Sequence, residues 1–177
     1  MSAPSTIGIS VAVPDPWGEQ LQKYRTSLGD ELASGIPSHV TLVPPFRLAP
    51  GELEQVLVNL EEAAAERGPF RIHLRGTGTF RPVSPVVFVT LAEGISGCER
   101  LATAVRRAPL EVQPEFPYHP HVTIAHHLPD PLLDQAFEEM ADFECDFVVD
   151  RFSLYVRDPT SGWVPTRDFA LTGRAEG

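Results

Sequence analysis

Apolar and polar residues alternate along several short stretches of the chain, and other stretches repeat apolar residues at helical spacing. Residues 7–13 alternate apolar with small or polar side chains, which is the two-residue period of a strand. Residues 17–28 and 53–64 place apolar side chains three or four positions apart, which predicts amphipathic helices. Residues 70–74 alternate again and predict a half-buried strand.

The second part of the chain repeats this order of elements. Val86–Leu91 is a continuous apolar run, typical of a central strand. A helix carrying Leu101 and Val105 follows, and Asp130-Pro131 begins another helix after the next strand. Three further strands are predicted near the end of the chain, at 147–149, 152–156 and 163–171.

One tripeptide, His-Val-Thr, occurs in both halves, each time inside a β-branched run that predicts a strand. The copies are His39-Val40-Thr41 and His121-Val122-Thr123, and Pro44-Pro45 is expected to end the first of these strands. Residues two apart in a strand point to the same face. Each copy therefore offers one imidazole and one hydroxyl side by side.

The repeated order of elements predicts an α+β fold built from two pseudo-symmetric lobes. Each lobe is expected to hold a mainly antiparallel sheet with outer helices, and the two His-Val-Thr strands are expected to meet in a central cleft. The 177 residues suit a single bilobal domain, with a first lobe of about 1–80 and a second of about 81–177.

The charge balance and the cysteine content restrict the partners and the compartment. The net charge is −10, from 24 acidic and 14 basic residues, so a small nucleotide or an RNA end is expected rather than a long nucleic acid. No apolar run is long enough to span a bilayer or to act as a secretion signal. Cys98 and Cys145 are expected to be reduced thiols of a cytoplasmic protein, and we expect a monomer.

The two His-Val-Thr motifs suggest acid–base chemistry at a phosphate. Histidine is the side chain whose ordinary pKa lies nearest neutrality, and phosphodiester cleavage needs one proton taken and one donated. His39 and His121 would supply both transfers, and the Thr41 and Thr123 hydroxyls would hold the charged phosphate oxygens without a metal or cofactor. A single His-x-Thr would more often be structural, whereas two copies in matching elements favour a shared site.

With these two motifs the chain resembles the 2H phosphoesterase superfamily, which includes the 2′-5′ RNA ligase-like and RNA 2′,3′-cyclic phosphodiesterase proteins. The resemblance covers about residues 7–171. It implies a duplicated α+β fold, with His39 and His121 as the acid–base pair and Thr41 and Thr123 as phosphate-binding residues. Bacterial RNA ligase-like members of this superfamily have the pattern His-x-Thr-x-x-Arg at the second motif, whereas this chain has His126 in place of the arginine.

Several other side chains are candidates for substrate contacts. An aromatic face for a nucleobase or a cation for a phosphate is expected among six of them: Phe46, Arg47, Arg81, Tyr118, His119 and His126. Phe80, Trp163 and Arg157 are further candidates of the same kinds. A zinc site among the histidines at 119–127 is disfavoured, because no Cys or carboxylate lies at ligand spacing and His126 should face away from His121.

Three functions fit these residues. The first is hydrolysis of a 2′,3′-cyclic phosphate or related 2′-linked phosphodiester on a nucleotide or RNA end, a reaction of RNA processing. The second is a module that binds such an end without turnover, although intact histidines favour the enzyme. The third is ligation of RNA ends, which the acidic charge and the change at His126 disfavour. The sequence does not assign the acid and the base.

Overall fold

The computed structural model of the protein describes residues 4–30 and 35–175. Within these ranges the chain forms eight strands and four helices. The strands are β1 (Ser5–Ala12), β2 (His39–Leu48), β3 (Phe70–Thr79), β4 (Val86–Glu93), β5 (His121–His126), β6 (Glu144–Val149), β7 (Arg151–Asp158) and β8 (Gly162–Ala170). The helices are α1 (Trp17–Ser27), α2 (Glu52–Glu66), α3 (Ile95–Val105) and α4 (Asp130–Glu139).

All eight strands belong to one antiparallel sheet in the order β6-β3-β4-β5-β2-β1-β7-β8. The predicted α+β class is therefore confirmed. The two His-Val-Thr strands, β2 and β5, are neighbours at the middle of this sheet. Helices pack against the strands, and α1 contacts β5 although the two are far apart in the sequence.

Strand pairing crosses the expected boundary between lobes at about residue 80. β3 precedes that boundary but pairs with β4 and β6, whereas β7 follows it but pairs with β1. Each half of the sheet thus contains strands from both halves of the sequence. The division into lobes of residues 1–80 and 81–177 stays a prediction.

Pro44 and Pro45 do not end β2, contrary to the sequence prediction, and the strand continues to Leu48. The pairing with β1 is irregular here, because two steps along β1 from Ile7 to Ile9 match three steps along β2. Proline has no N–H to donate to a sheet, and such an irregularity is where a strand tolerates it. No helix in the described part of the chain is long and apolar enough to cross a membrane.

Candidate active site

A β-bulge follows the second His-Val-Thr motif directly. β4 pairs Phe88 with Thr123 and then Val87 with Ala125, so Ile124 is an extra residue in β5. Ile124 and Ala125 are both fully buried. A bulge of this kind shifts the alternation of faces by one residue. Positions beyond it therefore face the side opposite to the one that simple alternation predicts.

His126 faces the same side as Thr123 because of this bulge, and both residues line one cavity. The expectation that His126 points to the opposite face was wrong. The difference arises from the extra residue Ile124, because it reverses the alternation of faces. The bulge is set by the pairing of β5 with β4 and is not visible in the local sequence.

β2 carries the same irregularity at the same place. β1 pairs Ser10 with Thr41 and then Ile9 with Val43, so Leu42 is the extra residue. Leu42 and Val43 are buried, as are the matching residues of β5. The two motifs thus share their local backbone geometry as well as their sequence.

The two motifs meet at one cross-strand pair, Val40 and Val122, which are antiparallel partners and fully buried. The flanking motif residues are partly exposed on the other face of the strands. Continuing the antiparallel register by one residue in each direction sets each histidine opposite the threonine of the other motif: His39 opposite Thr123, and His121 opposite Thr41.

His39 is held by a backbone carbonyl. Its Nδ1 lies 2.7 Å from the oxygen of Pro37, and a carbonyl oxygen only accepts, so Nδ1 is the donor. Nε2 is then the ring nitrogen that can take or give a proton. Burial lowers the pKa of His39 to about 4, although the bond to Pro37 acts in the opposite direction. The positive charges of Arg25 and His121 lower this pKa further.

His121 is held in the same way. Its Nδ1 lies 2.7 Å from the carbonyl oxygen of His119, so Nδ1 donates and Nε2 remains for chemistry. Burial lowers the pKa of His121, opposed by the bond to His119 and assisted by the charge of that residue. The imidazole packs against Phe80 and Phe88, with ring centroids 4.9 Å and 5.1 Å away.

A cavity of about 530 Å³ lies over the first motif and extends to the β7–β8 hairpin. Three of the four motif residues line it, whereas His121 is not in its lining and packs against the two phenylalanines. Other polar or aromatic side chains in its wall come from α1, β7, β8 and the end of β5. The polar and aromatic side chains that line the cavity include His39, Thr41, Thr123, His126, Arg25, Arg157 and Trp163.

Tyr118 and His119 support the motifs and do not line the cavity. The Tyr118 hydroxyl donates to the carbonyl of Thr41 at 2.7 Å, and the guanidinium of Arg106 lies 4.9 Å above its ring. Burial raises the pKa of Tyr118. His119 contributes the carbonyl that orients His121, and its ring contacts Phe80 at 5.5 Å.

The remaining predicted contacts also lie outside the cavity lining. Phe46 packs against the core, and Arg47 is exposed on the same end of β2. Arg81 forms ion pairs with Asp134 at 2.9 Å and with Asp130 at 3.6 Å. A role for these three side chains in substrate binding stays a prediction. In the described ranges no group of three or more His, Cys, Asp or Glu residues is placed to hold a metal ion.

Arg25, a nearly buried arginine of α1 in the cavity wall, was not among the residues predicted from the sequence. The chain does contain a signal for it. Arg25 follows the buried Leu21 by four positions, so the helix period places it on the inward face of α1. A charged residue on the apolar face of a helix needs a partner or a function.

The chain is similar to several known proteins. The family model of the 2′-5′ RNA ligase superfamily matches residues 13–160. A Bacillus licheniformis protein named "Putative phosphoesterase" is 30% identical over 138 residues, covering 77% of this chain and 81% of that protein. TT0787 of Thermus thermophilus has a TM-score of 0.68 at 25% identity, covering 95% of this chain and 98% of that one. Apo E. coli LigT shares the fold, with a TM-score of 0.69 at 20% identity over 97% and 99% of the two chains. The family match spans most of the sequence, and the protein therefore belongs to the 2′-5′ RNA ligase superfamily, the 2H phosphoesterases.

Proposed function

We propose that the protein is a phosphoesterase that hydrolyses a 2′,3′-cyclic phosphate or a related 2′-linked phosphodiester on a nucleotide or RNA end. The observation that carries this proposal is the pairing of the two motifs across β2 and β5. Each histidine is fixed by a backbone carbonyl at Nδ1, which leaves two Nε2 atoms for proton transfer beside two threonine hydroxyls. This set supplies a base, an acid and donors to the phosphate oxygens.

In the proposed reaction water attacks phosphorus while one Nε2 takes its proton. A P–O bond forms, the bond to the ribose oxygen breaks, and the other histidine donates a proton to that oxygen. The cyclic diester becomes a monoester. Thr41 and Thr123 donate hydrogen bonds to the non-bridging oxygens, where negative charge is concentrated.

The environments of the two rings support an assignment of roles. With its pKa near 4, His39 is unprotonated at neutral pH, which is the state that a general base requires. His121 is then the donor to the leaving oxygen, and a bound phosphate anion raises its pKa by favouring the protonated ring. The proposal predicts that substitution of His39, the base, removes the acidic limb of the pH–rate profile. Substitution of His121, the acid, is expected to remove the alkaline limb.

A nucleotide substrate is supported by the extent of the cavity. The cavity continues past Gly8 to Trp163 and Arg157, an aromatic ring and a guanidinium beyond the motif residues. An aromatic side chain in the same cavity as the motif residues suits stacking with a base. LigT, which shares the fold, has been crystallised with 3′-AMP, with ATP and with NADP+. The net charge of −10 favours such small ligands over a long polymer.

The test is turnover of 2′,3′-cyclic nucleotides by the purified protein in excess EDTA. His39→Ala and His121→Ala are each expected to lower kcat by about 10²–10⁴-fold, the usual contribution of a positioned acid or base. His73→Ala is the matched control, because that histidine lies on β3, contacts Glu144 of β6 and is outside the cavity lining. Equal rates for wild type and both motif variants would contradict the mechanism. Binding of the nucleotide without turnover would instead support the non-catalytic module.

A further inference from the structure

Arg25 lies in the last turn of α1 and is unusually buried for an arginine. Only 6% of it is exposed, yet it lies in the wall of the cavity together with His39 and His126. A buried guanidinium costs free energy because water no longer solvates it, and that cost is offset only by hydrogen bonds and an opposite charge.

Asp30 supplies the opposite charge. Nε and Nη2 of Arg25 donate to the same carboxylate oxygen of Asp30, at 3.1 Å and 2.7 Å, and the two side chains are 8% and 2% exposed. This contact uses one edge of the guanidinium. The remaining nitrogen, Nη1, makes no hydrogen bond to any residue within 4–30 and 35–175. The pair therefore fixes an arginine whose second edge is available to a ligand.

The charge of Arg25 acts on one side of the catalytic cleft. It lowers the pKa of His39 and that of His126, so its guanidinium lies near both rings. Thr123 belongs to the same side, since it is opposite His39 and precedes His126 on β5. The other side differs, because His121 is packed against the rings of Phe80 and Phe88. The site is thus symmetric in its motifs and asymmetric in its charge.

We propose that Arg25 is a substrate-binding residue whose guanidinium, positioned by Asp30, donates to an anionic oxygen of the bound phosphate on the His39 side. This inference deepens the proposed function and rests on it. Arginine keeps its charge at every physiological pH and presents donors in a fixed fork, which suits it to a phosphate oxygen. A fixed cation on one side also favours a single orientation of an unsymmetric phosphodiester between two similar motifs.

The test compares steady-state constants and phosphate affinity for variants of the pair. Arg25→Met alone removes the positive charge beside the buried Asp30 carboxylate, so the informative variant is the double substitution Arg25→Met/Asp30→Leu, which removes both charges. We expect its KM for a 2′,3′-cyclic nucleotide and its Kd for inorganic phosphate to rise about tenfold or more, the effect of losing a hydrogen bond to a charged group. Arg25→Lys keeps the charge and is expected to recover part of the affinity.

Two controls separate binding from folding and from overall charge. Arg71→Met/Asp146→Leu removes an exposed ion pair between β3 and β6 outside the cavity lining and is expected to leave KM and Kd within about twofold of wild type, as distant surface changes usually do. Thermal unfolding shows whether each variant is folded. In wild-type protein, the Nε–H resonance of Arg25, assigned with Arg25→Lys, is expected to shift as phosphate is added.

The outcomes distinguish this inference from the proposed function. If the wild-type protein turns over the cyclic nucleotide and the folded double variant has the same KM and Kd, the proposed role of Arg25 is overturned. The proposed phosphoesterase function is not affected by that result. Weaker phosphate binding in the variant of a protein that turns over no cyclic nucleotide would support the anion site and overturn the proposed reaction. An Arg25 resonance that does not respond while the protein binds phosphate would overturn the inference even if the double variant fails to fold.

Discussion

Val40 of β2 and Val122 of β5 face each other across the middle of the sheet, and neither side chain is exposed to solvent. This pair sets the register that brings the flanking histidines and threonines together. A core valine thus has two consequences, one for stability and one for the geometry of the site. The two are separable by measuring unfolding and turnover in the same variant.

Val122→Ala is expected to lower the free energy of unfolding by about 1–3 kcal/mol, because it removes buried methyl groups and leaves a small cavity. Denaturant unfolding followed by circular dichroism measures this change. The matched control is Val148→Ala on β6, where 63% of the valine is exposed, and it is expected to change stability by less than about 0.5 kcal/mol. Equal losses at both sites would contradict the central position of the pair.

The lowered pKa of His39 predicts a pH-dependent stability. Its ordinary value is 6.5 and its value in the folded protein is about 4. Between these values the unfolded chain binds a proton that the folded protein does not, so the stabilising effect of the neutral ring is present above pH 6.5 and is lost as the pH falls towards 4. The free energy of unfolding should therefore decrease across this window.

His39→Asn is expected to reduce that pH dependence, because the amide can donate to Pro37 but does not titrate. His127→Asn is the control, since His127 is exposed and has a left-handed φ of 54° that asparagine tolerates. Urea unfolding at a series of pH values gives the slopes. A slope in His39→Asn as steep as that of wild type would show that other groups cause it.

Tyr118→Phe tests whether the β2 motif depends on the hydroxyl that reaches its backbone. Loss of the 2.7 Å bond to the Thr41 carbonyl is expected to cost about 0.5–1.5 kcal/mol of stability. It should lower kcat more than it raises KM, because the threonine is moved and not removed. Tyr155→Phe is a suitable comparison, as its hydroxyl makes no hydrogen bond within residues 4–30 and 35–175. A kcat for Tyr118→Phe equal to that of Tyr155→Phe would show that the Tyr118 hydroxyl does not position the β2 motif.

His126→Arg should strengthen the binding of an anionic substrate. Burial and the charges of His127 and Arg25 lower the pKa of His126, so the native ring is mainly neutral at neutral pH. An arginine at this place in the cavity wall adds a permanent charge, and we expect KM for a cyclic nucleotide to fall about tenfold at low salt. His127→Arg adds the same charge at the next, exposed residue and should leave KM nearly unchanged. An equal fall in both variants would indicate long-range attraction without direct contact.

The elements of the fold and the four motif residues could be predicted from the sequence, because periodicity and the repeated tripeptide are local signals. The side of the sheet to which His126 points could not be predicted from the sequence. It depends on Ile124 being skipped in the ladder with β4, and a bulge is a property of two strands together. The continuation of β2 through Pro44 was missed for the same reason, since the tolerance for proline comes from its irregular pairing with β1.

Arg25 and the exchange of strands between halves escaped prediction because they depend on contacts between distant segments. α1 reaches the second motif by packing on β5, and nothing within the helix shows that contact. The helix period identified an inward position, but only the fold shows that the position opens on the cavity. Similarly, β3 and β7 pair across the boundary that the sequence repeat indicated.

The two histidines are oriented by carbonyl groups two residues earlier in the chain, at Pro37 and at His119. Any amino acid at either position provides the same oxygen, so the proton-bearing nitrogen of each ring is specified by the main chain alone. Substitutions elsewhere can then alter the cavity wall, the core and the outer helices without resetting which tautomer each ring adopts. The residues of the cavity wall can therefore change during evolution, and with them the ligand that fits, while Nε2 of each ring remains the nitrogen available for proton transfer.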